Sequence, residues 1–89
     1  MKAVVTVVGK DRVGIIAAVC GIMAENNINV LDISQTVLQG YFTMTMIVDT
    51  SASKVDFADL TDVLKARGED MGLSIRAQST KIFKAMHRI

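Results

Sequence analysis

The sequence has no proline and no tryptophan, and one each of cysteine, histidine and tyrosine among its 89 residues. The lone thiol, Cys20, excludes an intramolecular disulfide, and one thiolate with one imidazole makes a poor metal-binding set. His87 has no candidate base or ligand near it in the chain. A charge excess is missing too, since ten basic and nine acidic residues leave a net +1. Nucleic-acid-binding modules carry a basic surplus to displace phosphate counterions, so no nucleic-acid partner is expected. The longest apolar run, residues 13–24, contains Gly14 and Gly21 and falls short of the roughly 20 residues that cross a bilayer. No membrane partner is expected either. The opening residues, Met1-Lys2-Ala3-Val4-Val5, run straight into a strand pattern without the charged, apolar and cleavage regions of a secretory signal, which points to a cytoplasmic protein.

What is present is apolar: 51% of the residues are hydrophobic, a high share for a small domain. A chain of this length holds one domain and keeps much of its surface in water, so the surplus implies association with a partner. Residues 2–8 are β-branched and stop at Gly9-Lys10-Asp11-Arg12, a buried strand entering a turn. Residues 13–26 read as a helix that is apolar nearly all round. Ile16, Val19, Cys20 and Met23 form one stripe, assigned to the sheet. Ala17, Gly21 and Ala24 form a second, small-residue stripe, suited either to a helix of another chain or to the second helix of this one. Residues 28–39 form a strand broken around Leu31-Asp32, which suggests a bulge. Gly40 reverses the chain into an alternating strand over 41–49, with Phe42, Met44, Met46 and Val48 on its packed face. A second helix begins at Asp56, with Phe57, Leu60, Val63 and Leu64 on one side, and a fourth strand spans 73–80. In the tail, 81–89, Ile82, Phe83, Met86 and Ile89 fall at helical spacing, a short amphipathic helix outside the domain proper, 1–80.

This order, strand–helix–strand–strand–helix–strand, is the split βαβ or ferredoxin-like α+β arrangement. Right-handed crossovers place both helices on one face of an antiparallel sheet, with the second strand at an edge. The fold hosts many functions, so the turn after the first strand carries more information. Gly9-Lys10-Asp11-Arg12-Val13-Gly14-Ile15 joins a glycine turn to a helix N-terminus, whose free amides suit a carboxylate or phosphate. Asp11 adds a negative charge beside that anion site. The pair suits an amino acid, which carries both charges on one carbon; alternatively Asp11 caps the helix and Gly14 serves close packing.

The segment Gly9-x-Asp11-Arg12-x-Gly14-Ile15, followed by Asn27-x-Asn29-Val30-x-Asp32-Ile33, resembles the ACT domain, a regulatory ligand-binding module. The likeness covers essentially the whole chain. It is similar to lone prokaryotic ACT proteins and to the ACT domains of the glycine cleavage system repressor and formyltetrahydrofolate deformylase. Those commonly have proline where this chain has Val13, a residue that would preset a first helical turn. The resemblance implies a ligand held between two ACT domains. In one, Asp11, Arg12, Val13, Gly14 and Ile15 would contact it; in the other, Asn27, Ile28 and Asn29. It therefore implies a homodimer or higher homo-oligomer that binds an amino acid or similar metabolite and acts on an effector protein in trans. A ligand-free association module is the alternative. No cofactor and no catalysis are implied.

Enzyme readings lack their residues. Ile15-Ile16 stands where a phosphate-binding loop needs Lys-Ser/Thr. Acylphosphatase, of the same fold, needs an asparagine on its third strand, and residues 41–49 contain none. Copper chaperones need a Cys-x-x-Cys in this turn, and RNA-recognition motifs need aromatic residues on both central strands.

Overall fold

A computed structural model describes residues 1–80; the amphipathic helix expected over 81–89 lies outside the described residues. The elements are β1 (Lys2–Lys10), α1 (Ile15–Glu25), β2 (Asn29–Leu38), β3 (Tyr41–Asp49), α2 (Phe57–Asp70) and β4 (Leu73–Ser79). They build a four-stranded antiparallel sheet in the order β2-β3-β1-β4, the expected ferredoxin-like topology with β2 at an edge.

Strand periodicity sorts the side chains between two faces. Ala3, Val5 and Val7 of β1 lie beside Met44, Met46 and Val48 of β3 and Ile75 of β4, all buried under the helices. From above, α1 contributes Ile15, Val19, Ile22 and Met23, and α2 contributes Leu60 and Leu64. The sheet-facing stripe of α1 is thus centred differently from the sequence expectation. Ile16 and Cys20 are half-buried flanks, and Ile15 and Ile22 take the central places.

Both ends of α1 have local causes. Gly14 has φ 92°, a left-handed conformation that a helix cannot include, so α1 starts at Ile15 rather than at residue 13. Val13 is left 99% exposed ahead of the helix, outside the first-turn position in which proline is favoured. At the other end Asn27 is left-handed at φ 58°. Its N–H donates to Ala24 O (3.1 Å), and the Ile28 N–H donates to Met23 O (2.9 Å). These two bonds make a Schellman motif, and buried Ile28 supplies its apolar contact.

The stripe Ala17, Gly21, Ala24 is exposed, and a Cβ added to Gly21 would meet nothing within 4 Å. It does not fit under α2. A polar link joins the two helices elsewhere: Arg67 Nη1 donates to Glu25 Oε2 at 2.9 Å. On β2 the expected bulge falls at Leu31, where the register with β3 shifts between Val30 and Asp32. The extra residue changes the parity of the strand, so Ile33, Gln35 and Val37 share the helix-side face opposite Met46, Met44 and Phe42. Neither helix covers them, and all three are exposed.

Candidate functional site

The loop between β1 and α1 is held from two sides. The Asp11 N–H donates to Gly40 O at 2.8 Å, tying the loop to the β2–β3 turn. In that turn Gln39 (φ 51°) and Gly40 (φ 81°) are both left-handed, the geometry of a tight hairpin reversal. On the helix side Gly14 is the N-cap residue and provides no side chain, so Asp11 does not cap α1. The first turn of α1 also contains no acidic residue. Its leading N–H groups and the positive end of its dipole are therefore met by no side-chain acceptor.

These groups look into a cavity of ≈ 510 Å³ between the start of α1 and the uncovered side of the β2–β3 hairpin. Asp11, Arg12 and Gly14 form its rim, and Ile15, Ile16 and Ala17 form one wall. Gln35, Val37 and Phe42 form the other. A charged rim thus surrounds a largely apolar interior with one carboxamide in it. Such a site suits a small molecule with both charges at one end and a compact body at the other.

Of the residues singled out from the sequence, Asp11, Arg12, Gly14 and Ile15 come together here. Val13 lies in the same loop but projects into solvent. Asn27, Ile28 and Asn29 sit beyond the opposite end of α1, whose eleven residues span about 16 Å. There the Asn27 amide Nδ2 donates to Ala52 O at 2.9 Å and Ile28 belongs to the core. Within one chain the two sets do not meet. Sequence reasoning missed Ile16, Ala17, Gln35, Val37 and Phe42 as lining residues. The signal for Gln35 and Val37 was the bulge at Leu31, because counting across it puts both on the helix-side face.

A second cleft, of ≈ 490 Å³, lies between α2 and β4, with Lys65, Glu69 and Arg76 among its lining. It contains none of the motif residues.

Residues 2–78 match the ACT domain family. A UPF0237 protein of Bifidobacterium longum is 52% identical over 88 residues, covering 99% of this chain and 98% of the relative. A UPF0237 protein of Methanocaldococcus jannaschii is 50% identical over the same shares of both chains. Among solved structures, an ACT domain protein from Streptococcus pneumoniae superposes with a TM-score of 0.84 at 48% identity, covering 98% of each chain. Formyltetrahydrofolate deformylase from Pseudomonas syringae shares the fold at a TM-score of 0.79 and 21% identity, over 88% of this chain and 27% of that enzyme. A putative glycine cleavage system transcriptional repressor does so at a TM-score of 0.72 and 22% identity, over 86% of this chain and 44% of that one. With the motif, the strand order and these relatives in agreement, the chain belongs to the ACT domain family.

Proposed function

We propose that this protein is a regulatory sensor that binds an amino acid or closely related metabolite in the cavity at the start of α1 and acts as a homo-oligomer on a partner in trans. The observation that carries this reading is the uncapped N-terminus of α1 facing an apolar-walled cavity with Asp11 on its rim. The amides at the helix start receive the carboxylate. Asp11 receives the ammonium group, and Ile16 and Val37 flank the body of the ligand. Asn27 and Asn29, remote in one chain, reach the site only from a second copy, which makes oligomerisation part of binding. No catalytic group is assigned, and the output is a change in assembly or in an effector protein in the cytoplasm.

A thermal-shift screen against the proteinogenic amino acids tests the reading. A ligand that binds only the folded state stabilises it by about 2.7 kcal/mol at a hundredfold excess over Kd. Asp11→Ala then weakens that ligand about tenfold or more, the effect of losing a charge-assisted hydrogen bond. Unchanged affinity in Asp11→Ala would refute the assigned site. A second reading, a ligand-free association module, draws on the exposed apolar side chains of β2, Leu31, Ile33, Val37 and Leu38. It predicts a stable oligomer and no shift with any amino acid.

A further inference from the structure

Strand β2 brings one uncharged polar side chain into the candidate cavity, and a bulge puts it there. Val30 lies on the helix side, in register with Val48. Unbroken alternation from Val30 would carry Asp32, Ser34 and Thr36 to that side. The extra residue at Leu31 reverses the parity and brings Ile33, Gln35 and Val37 there instead, the kind of re-aiming that bulges perform beside binding sites. Ile33 and Val37 are apolar, and the β3 residues in register with Gln35 and Val37, Met44 and Phe42, are buried. Gln35 is therefore a lone carboxamide in an apolar surround, and it lines the cavity. Among the described residues this carboxamide has no hydrogen-bond partner, so a donor and an acceptor are both open to a ligand.

We infer that Gln35 selects the side chain of the bound amino acid, favouring one long enough to pass Val37 and ending in an uncharged group that both donates and accepts, such as a carboxamide. The inference rests on the amino-acid reading of this cavity and deepens it. Depth sets the length. The ladder of β2 with β3 ends at Leu38–Tyr41, and Lys10 pairs with Tyr41 just before the Asp11 loop. Val37 stands one residue in from that rung and Gln35 three, about 10 Å along the strand. Strand side chains stand roughly perpendicular to the sheet. A ligand with its charged head at Asp11 and the start of α1 therefore meets Val37 first, and Gln35 only through a long side chain. Charge is the second filter. Asp11 and Arg12 are at the rim with the head group, while Ile15, Ile16, Val37 and Phe42 surround the interior. An ionic side-chain end would lose hydration there and gain no opposite charge. An aliphatic end would cover the Gln35 carboxamide and leave it without a partner. A carboxamide meets it with a reciprocal pair of hydrogen bonds.

Isothermal titration calorimetry with L-glutamine, L-methionine and L-glutamate, on the unaltered protein and on Gln35→Met, tests this selection. The three ligands have side chains of matching length, and methionine at position 35 keeps the shape of glutamine without its donor and acceptor. The unaltered protein is expected to bind L-glutamine about fivefold or more tighter than either of the others, the worth of about one net hydrogen bond. In Gln35→Met the preference over L-methionine is expected to disappear, with an unchanged circular dichroism spectrum because the position is exposed. Asp11→Ala weakens L-glutamine and L-methionine by the same factor, since it acts on the head group they share. Equal affinity of the unaltered protein for L-glutamine and either of the other two would overturn the inference and leave the amino-acid site standing. So would a preference that survives Gln35→Met, or a thermal-shift response confined to amino acids with short or apolar side chains. No response to any proteinogenic amino acid would instead remove the site reading itself, and the inference with it.

Discussion

A Cβ built on Gly68 would lie 2.9 Å from Ile75 Cγ1 and 3.0 Å from the carbonyl oxygen of Leu73, whereas one on Gly21 has open space. Both glycines are helical, so alanine gains about 1 kcal/mol of helix propensity at either. At Gly21 nothing opposes that gain, and Gly21→Ala is expected to stabilise the monomer by about that amount. At Gly68 the new methyl group pushes α2 off β4. Overpacking costs of about 1–3 kcal/mol outweigh the propensity, so Gly68→Ala is expected to be net destabilising. Urea denaturation of both variants checks the opposite signs, and a stabilised Gly68→Ala would show that α2 is less closely seated on β4. Asn27 makes a related point about motifs. Its left-handed backbone and its amide bond to Ala52 give it a structural task at the end of α1, beside any contact with a ligand.

At the scale of elements, β2 stands out because none of its ten residues is fully buried. Leu38 is 70% exposed beside an unpaired strand edge, the arrangement that invites another strand. Leu38→Lys is expected to weaken self-association in sedimentation velocity while changing monomer stability by no more than about 0.5 kcal/mol, as surface substitutions do. Unaltered association would place the interface elsewhere. Strand β3 was legible residue for residue in the sequence, because its alternation is unbroken and Gly40 marks its start. The start of α1 was not, since the apolar pattern continues through Val13 and only the left-handed Gly14 stops the helix. Half of the cavity was likewise hidden. The motif announced the loop, but Gln35 and Val37 reach it through the change of strand parity at Leu31, a bulge that was legible in the sequence while its consequence for the residues beyond it was not drawn.

For the whole molecule, two carboxylates at the ends of elements link parts distant in sequence, and the lowering of both pKa values bears on the response to acid. Glu25 at the end of α1 is held below its ordinary pKa by the hydrogen bond and charge of Arg67 on α2. Asp49 at the end of β3 is lowered chiefly by the hydroxyl and N–H of Ser51, both donating to Oδ1, with a smaller contribution from the N-terminal ammonium 3.8 Å away. A carboxyl whose pKa is lower in the folded state contributes its stability above the unfolded value and loses it as the pH falls through the folded one. The melting temperature is therefore expected to decline as the pH drops below about 4. The double variant Glu25→Gln, Asp49→Asn is expected to decline less steeply over the same range. Parallel curves would show that other carboxylates govern acid unfolding.

The place of β1 in the sheet also bears on how the chain is made. Of the four strands of this domain β1 is synthesised first, and it lies between β3 and β4, with Ala3 paired to both Val48 and Ser79. Its hydrogen-bonding edges stay empty until a distant part of the chain has been synthesised, and loop closure is required before those contacts form. The four-stranded sheet of this domain is complete only when β4 has followed. Synthesis is therefore the period in which Val4, Val5, Val7 and Val8 are most open to foreign contacts, and a chaperone that holds short β-branched segments would meet this protein before its own last strand does.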